Sequence, residues 1–190
     1  QKLNIVVLED FYWLYSWSGG AHCCSTNLFL SKEPPYDVVL KGGGHSYASL
    51  YNIKDFDEDG KLEIRLYDDV FAYWISSFAG SPTIELYFEF SSNSIKLDKN
   101  LVYCNRYKKK DDMSRFKDDG PIWCTPYSDS DENEVKEEIK KGFVKSQYKS
   151  SGWEGYIIPT QFVQVISALR YTQRDEEAKE FFDSMWPQHI

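Results

Sequence analysis

The segment from residue 55 to residue 63 reads Asp-Phe-Asp-Glu-Asp-Gly-Lys-Leu-Glu, and its spacing of carboxylates could bind a metal ion. Three carboxylates stand at alternate positions before the glycine and one more follows it: Asp55, Asp57, Asp59 and Glu63. A hard divalent cation such as Ca²⁺ takes about six to eight oxygen ligands, and a D-x-D-x-D-G loop supplies them by curling around the ion. Without a cation, these carboxylates would repel one another.

We therefore predict one Ca²⁺ site in this loop. The predicted ligands are the side chains of Asp55, Asp57, Asp59 and Glu63 and the backbone carbonyl of Lys61. Gly60 stands where the chain must turn sharply. The alternative interpretation is an acidic, solvated turn without an ion, because Asp and Gly are also common turn residues.

The residues on either side of the loop predict that it connects two strands. The twelfth position counted from Asp55 is Leu66, where an EF-hand needs a bidentate Glu. Residues 62–67 alternate between apolar and polar side chains, and residues 48–54 also read as extended. The sequence thus predicts a strand–loop–strand unit and not a helix–loop–helix unit.

Two enzymatic alternatives use other residues. One is a thiol hydrolase in which His45 activates Cys23 or Cys24. The other is a glycan-acting enzyme that uses the carboxylates of Asp68 and Asp69. The chain has no G-x-S-x-G nucleophile elbow, and the carboxylates of the loop are expected to be occupied as ion ligands. These observations favour a binding module over an enzyme, and we predict no catalytic residue.

The four cysteines allow three pairings. Cys104 and Cys124 bracket the charged segment 105–123, so a bond between them would restrain that segment. We predict that Cys104 and Cys124 are joined. Cys23 and Cys24 are adjacent in the sequence, and they are either reduced and buried or joined to each other.

Composition limits the class of protein. A length of 190 residues suggests a single domain, residues 1–190, and the net charge of −8 argues against a nucleic-acid surface. No apolar run reaches the roughly 18 residues of a membrane span. The cysteines, the calcium-type loop and a chain that starts at Gln1 without a methionine together favour an exported protein, periplasmic or secreted.

Hydrophobic periodicity divides the chain into a β-rich part at 1–100, a polar loop at 101–130 and a helical part at 131–190. The predicted strands are 11–17, 23–31, 36–41, 48–54, 62–67, 83–90 and 94–97. The predicted helices run from 131 to 149, from about 160, and from about 175 to 187, with a short link at 172–174. Strands followed by helices predict an α+β fold, with antiparallel, blade-like strands around the calcium loop.

Residues 54–64 resemble the calcium loop of FG-GAP (integrin-like, VCBS-type) β-propeller repeats, where the loop links two strands of a blade. Over much of its length the chain resembles a group of exported bacterial proteins with a single loop of this kind. The shared marks are Ala21-His22-Cys23-Cys24, the loop, Phe71-Ala72-Tyr73-Trp74, residues 77–82, Phe181-Phe182-Asp183 and Trp186-Pro187. The resemblance implies local blade geometry and the ion ligands, and it assigns no activity. A closed propeller needs at least about four blades, more than these strands can form.

The aromatic content points to a partner. Aromatic residues make up 17% of the chain, and residues 71–78, close to the loop in sequence, are rich in them. An acidic module of this kind would most naturally recognise a protein or a glycan. The sequence predicts neither the identity of that partner nor the oligomeric state.

Overall fold

The computed structural model describes residues 2–20, 23–44, 53–74, 81–107, 129–145 and 156–187. The chain forms two compact units. The first unit contains Gln1–Val70 and Thr83–Leu101, and the second contains Phe71–Pro82 and Val102–Ile190. Antiparallel sheets fill the first unit and most of the helices lie in the second, which confirms the predicted α+β class.

The strands of the described residues are β1 (Lys2–Val7), β2 (Phe11–Gly20), β3 (Cys23–Ser31), β4 (Val38–Gly44), β5 (Ile53–Lys54), β6 (Glu63–Asp68), β7 (Ile84–Ser91), β8 (Ser94–Leu97), β9 (Val144–Lys145) and β10 (Tyr156–Ile157). The helices are α1 (Lys99–Cys104), α2 (Asp129–Gly142), α3 (Thr160–Tyr171) and α4 (Asp175–Met185), with a 3₁₀ turn at Asn105–Tyr107. Among these helices none is long and apolar enough to cross a membrane.

Two four-stranded antiparallel sheets build the first unit, in the orders β1-β2-β3-β4 and β5-β6-β7-β8. In β2, Phe11 and Trp13 point to one face and are buried, because side chains two residues apart share a face of a strand. Trp13 Nε1 donates a hydrogen bond to Asn27 Oδ1 on β3 at 3.1 Å, which satisfies the buried indole. The core between the two sheets is formed by Phe11, Trp13, Phe29, Ile64, Leu66 and Ile95.

β1 is a strand that the sequence prediction missed. It pairs with β2 in antiparallel register, with Ile5 opposite Leu14. Its alternate residues Leu3, Ile5 and Val7 are exposed, so this strand presents apolar side chains to solvent, where polar side chains are usual. The predicted strands that correspond to β2–β8 match the observed ones to within about three residues in the described part of the chain, whereas β9 and β10 were not predicted.

The second unit has its own core around α2, α3 and α4. α3 and α4 pack against each other across the short link at residues 172–174, as predicted. Phe162 on α3 lies 6.0 Å from Phe181 on α4, ring centre to ring centre. The buried members of this core are Tyr107, Val135, Ile139, Phe162, Val163, Val165, Leu169, Ala178, Phe181 and Met185.

Two local predictions in this part of the chain were wrong. The predicted polar loop begins instead with helix α1 and the 3₁₀ turn, which bury Leu101, Val102 and Tyr107. The helix predicted to reach residue 149 ends at Gly142. A Cβ at Gly142 would lie 2.8 Å from Pro159 Cγ, so the close approach of Pro159 requires a residue without a side chain there.

Candidate metal centre

The acidic loop connects two paired strands, as the sequence predicted. β5 and β6 run antiparallel, with Lys54 opposite Glu63 and Ile53 opposite Ile64. β6 then pairs with β7, which places Glu63 opposite Glu89. The loop therefore joins the edge strand β5 to β6 of the second sheet, and Glu63, its last carboxylate residue, is the first residue of β6.

Backbone amides hold the first part of the loop in a curled shape. The carboxylate of Asp55 accepts hydrogen bonds from the N–H of Asp59 at 3.1 Å and of Gly60 at 2.9 Å. Asp57 Oδ1 also lies 3.3 Å from the Asp59 N–H. Gly60 has a φ of 89°, which residues with a side chain rarely adopt. The sharp turn predicted at Gly60 is present.

Three carboxylates converge in this curl. One oxygen from each of Asp55, Asp57 and Glu63 lies within 4.8 Å of the others. The described structure thus brings together three of the four predicted carboxylate ligands. Their donors are all hard oxygens, the type that Ca²⁺ and Mg²⁺ prefer over nitrogen or sulfur.

Glu63 differs from Asp55 and Asp57 in its burial, since it is only 1% exposed. Its Oε2 accepts a hydrogen bond from the Phe56 N–H at 2.8 Å, whereas Oε1 is buried and has no hydrogen-bond partner within the described structure. Burial, with repulsion from Asp57 and Asp55, raises the pKa of Glu63 to about 7. A buried carboxylate oxygen without a donor is costly, and a proton, a water molecule or a cation would each relieve that cost.

Asp57 shows the same electrostatic conflict. Burial raises the pKa of its carboxyl group above the usual value, and the charges of Asp59, Asp98 and Asp55 raise it further. A cation bound among these oxygens would favour their ionised forms and remove the conflict.

Asp59, the remaining predicted ligand, is bonded to Lys61. Its Oδ1 accepts a hydrogen bond from the Lys61 N–H at 2.9 Å, and its Oδ2 lies 3.2 Å from Lys61 Nζ. The hydrogen bond from the Lys61 backbone lowers the pKa of Asp59. Lys61 Nζ also lies 2.7 Å from Glu89 Oε2 on β7. The side chain of Lys61 therefore links the loop to the sheet, a role that the sequence analysis did not predict.

Phe56 is a second residue whose role the sequence analysis missed. Its side chain is fully buried and meets the ring of Tyr87 on β7 edge to face at 5.1 Å. Lys54 and Arg65 lie over the same ring, at 5.0 and 5.4 Å from its centre. Because the Phe56 N–H also binds Glu63, this residue fixes the loop to its sheet. The sequence feature that could have predicted this role is the position of an apolar residue, Phe56, between two aspartates.

The residues of the enzymatic alternatives are placed only in part. Asp68 ends β6, and its Oδ1 accepts a hydrogen bond from the Val70 N–H at 3.0 Å, as in a turn. Asp69 follows it and is half-buried. Cys23 and Cys24 begin β3, but their side chains lie outside the described structure, as does His45. The thiol and glycan alternatives therefore stay predictions.

Residues 71–74, the described part of the aromatic segment predicted to bind a partner, form a turn in the second unit. The Trp74 N–H donates to the Phe71 carbonyl at 3.1 Å, and their rings lie 5.4 Å apart. The Tyr73 N–H donates to Oγ of the buried Ser81 at 2.9 Å. The side chains of Tyr73 and Trp74 are 56% and 60% exposed, while residues 75–80 lie outside the description.

Cys104, at the end of α1, is disulfide-bonded. Its predicted partner, Cys124, lies outside the described residues. The pairing of these two cysteines stays a prediction.

Comparison of the chain with protein-family models, with curated proteins and with solved structures found no match. The likeness of residues 54–64 to FG-GAP calcium loops accordingly remains an expectation from the sequence.

Proposed function

We propose that this protein is an exported, calcium-stabilised binding module that recognises a protein or a glycan. The observation that carries the proposal is Glu63 Oε1, a buried carboxylate oxygen without a hydrogen-bond donor, next to the carboxylates of Asp55 and Asp57. A Ca²⁺ ion at this point would supply the positive charge that these three groups lack.

An acidic turn without an ion explains less of the geometry. A solvated turn keeps its carboxylates in water, where repulsion is screened and desolvation is absent. Here Glu63 is buried inside β6, and burial raises the pKa of both Glu63 and Asp57. The structure of the loop is therefore better suited to a bound cation than to water.

The oxygen donors and the size of the loop favour Ca²⁺ over other metals. Zn²⁺ prefers nitrogen and sulfur ligands, and the converging groups are all carboxylates. Mg²⁺ needs near-ideal octahedral geometry and retains several waters, whereas Ca²⁺ accepts irregular shells of side-chain and backbone oxygens. The proposed shell comprises Asp55, Asp57, Asp59, Glu63 and the Lys61 carbonyl.

A binding role is supported more strongly than catalysis. A shell of this kind leaves the ion few open positions at which to activate water, so the ion would be structural. The exposed rings of Tyr73 and Trp74 offer an aromatic surface on which a protein or a glycan could pack. Export fits because extracytoplasmic Ca²⁺ is abundant enough for weak extracellular modules.

The proposal is tested by calorimetry on chelator-stripped protein. We expect one Ca²⁺ per chain, and at 100 times the dissociation constant the ion should add about 2.7 kcal/mol to the free energy of unfolding. Asp57→Asn should abolish most of this increment. The same variant should leave the chelated protein as stable as wild type or slightly more stable, because it removes a repelled charge.

Glu137→Gln on α2 is the matched control, since it also removes one negative charge but one that is paired with Lys140 at 2.9 Å. It should bind Ca²⁺ as wild type does. If wild type shows neither calorimetric binding up to several millimolar Ca²⁺ nor a change in melting temperature, the loop is only a turn and the proposal fails.

The partner is sought by capture from envelope extracts with immobilised wild type, with Ca²⁺ or with chelator. A specific partner should be retained with Ca²⁺ and lost with chelator, and the double variant Tyr73→Ala, Trp74→Ala should lose it in both conditions. Hydrolysis of a peptide or glycan panel by wild type would instead favour an enzyme.

A further inference from the structure

Lys61 brings a positive charge directly onto the acidic loop. Its Nζ lies between Asp59 Oδ2, at 3.2 Å, and Glu89 Oε2, at 2.7 Å. Its own N–H occupies the other oxygen of Asp59, at 2.9 Å. Both oxygens of Asp59 are therefore bonded to a single residue, while Asp55, Asp57 and Glu63 converge without it.

This arrangement has opposite effects on the loop with and without a metal ion. Without an ion, the ammonium group offsets part of the negative charge and ties the loop to β7 through Glu89. With an ion, an oxygen of Asp59 that turns toward the metal gives up part of its attraction to the ammonium group. The positive charge of Lys61 would in addition repel the dication over a short distance.

We propose that Lys61 is an internal counter-cation that competes with Ca²⁺ for Asp59 and so lowers the affinity of the loop for the ion. This inference rests on the proposed function, because it presumes that the loop binds Ca²⁺. It assigns to Lys61 two separate parts: the backbone carbonyl would serve as a ligand, and the side chain would oppose binding.

The exchange needs little rearrangement. The side chain of Lys61 is 52% exposed and that of Asp59 is 40% exposed, so the ammonium group can leave Asp59 without being drawn out of a buried site. Glu89 remains as its second partner after Asp59 turns to the ion. The competition would therefore be reversible, and it would keep the loop charge-compensated and near its folded shape at low Ca²⁺ concentration.

The test is Ca²⁺ titration of chelator-stripped Lys61→Met by calorimetry. Removing one positive charge within several ångströms of a dication should lower the dissociation constant by about 3- to 10-fold at low salt, and by less as salt is added. In chelator, the same variant should melt at a lower temperature than wild type, because the loop loses its compensating charge. Affinity and metal-free stability would thus change in opposite directions.

Lys140→Met on α2 is the matched control. Lys140 is similarly exposed and is paired with Glu137 at 2.9 Å, so the variant changes the net charge of the protein by the same amount. It should leave the Ca²⁺ affinity unchanged. In an Asp59→Asn background, Lys61→Met should improve affinity less than it does in wild type, because the competed carboxylate is gone.

The outcomes separate this inference from the function on which it rests. Ca²⁺ binding by wild type with equal or weaker binding by Lys61→Met overturns the competition and leaves the calcium site standing. Binding by Lys61→Met alone supports the competition in its strongest form. Absence of binding by both proteins overturns the calcium site and the competition together.

Discussion

The acidic loop of the first unit and the helices of the second unit are both rich in carboxylates, yet their charges are compensated differently. On α2 and α4, carboxylates pair with a lysine three or four residues away along the helix: Glu132–Lys136, Glu137–Lys140 and Asp183–Lys179. In the loop, a spacing of two residues gathers carboxylates around each other, and Lys61 reaches only the outermost of them, Asp59.

The pKa values show what this difference does. The hydrogen bond from Lys140 lowers the pKa of Glu137, whereas burial raises that of Glu63 to about 7. On a helix, neighbours at i+3 and i+4 face each other, so the sequence can supply the countercharge locally. A curled loop turns alternate side chains inward, and beyond the Lys61–Asp59 pair the countercharge for Asp55, Asp57 and Glu63 must come from a distant residue or from an ion.

The largest expected effect is a loss of unfolding free energy when a buried phenylalanine is removed. It compares how strongly the loop is held in the first unit with how strongly α3 is held in the second. Phe56→Ala and Phe162→Ala each remove a buried phenyl ring. The first ring belongs to the loop and the second to the helical core. Each should cost about 3–5 kcal/mol of unfolding free energy, by analogy with buried Phe→Ala changes. Chemical denaturation in the presence of chelator measures both costs.

The two variants should differ in their response to Ca²⁺. Phe56→Ala should weaken Ca²⁺ binding, because the Phe56 N–H positions Glu63, whereas Phe162→Ala should bind the ion as wild type does. Unchanged affinity in Phe56→Ala would mean that the loop keeps its shape without this anchor.

A smaller effect concerns pH in the presence of chelator. The folded pKa of Glu63, about 7, lies above its ordinary value of 4.5, so between these values the folded state binds the proton more tightly than the unfolded state. Stability should accordingly fall as pH rises from about 4.5 to 7 and level off above 7. Glu63→Gln, which has no proton to lose, should lack this part of the slope.

Melting curves of wild type and Glu63→Gln at matched pH measure the difference, and carboxylates elsewhere in the chain contribute equally to both proteins. If the melting temperature changes with pH equally in both proteins, burial does not raise the pKa of Glu63. Glu137→Gln serves as the helical counterpart, since the lowered pKa of Glu137 predicts a loss of stability at low pH instead.

The smallest effect is expected on the helical surface. Lys136→Met breaks the i,i+4 pair with Glu132, in which Nζ lies 2.7 Å from Oε1. Pairs of this type contribute about 0.2–0.5 kcal/mol, and the loss should be the same with Ca²⁺ and with chelator. A loss that depended on Ca²⁺ would remove the contrast between the loop and the helices.

Local patterns predicted most of the described elements. The strands from β2 to β8 and the helices α3 and α4 follow from alternation, helical spacing and turn residues, which act within a few positions. β9 and β10 have two residues each and exist through pairing with each other, so no local pattern marks them. Gly142, the last residue of α2, likewise lies close against Pro159, and no local pattern shows that contact.

The sequence by itself determined the loop from Asp55 to Glu63, its sharp turn at Gly60 and the carboxylate oxygens that it carries, because these depend on residue type and spacing. Only the tertiary structure decided the state of each carboxylate. The β6–β7 register sets Glu89 opposite Glu63, 26 positions away in the numbering, and lets Lys61 reach across to it. Packing of Phe56 on Tyr87 accompanies the burial of Glu63. Burial and charge compensation are sums over neighbours brought together by folding, and no local spacing specifies them.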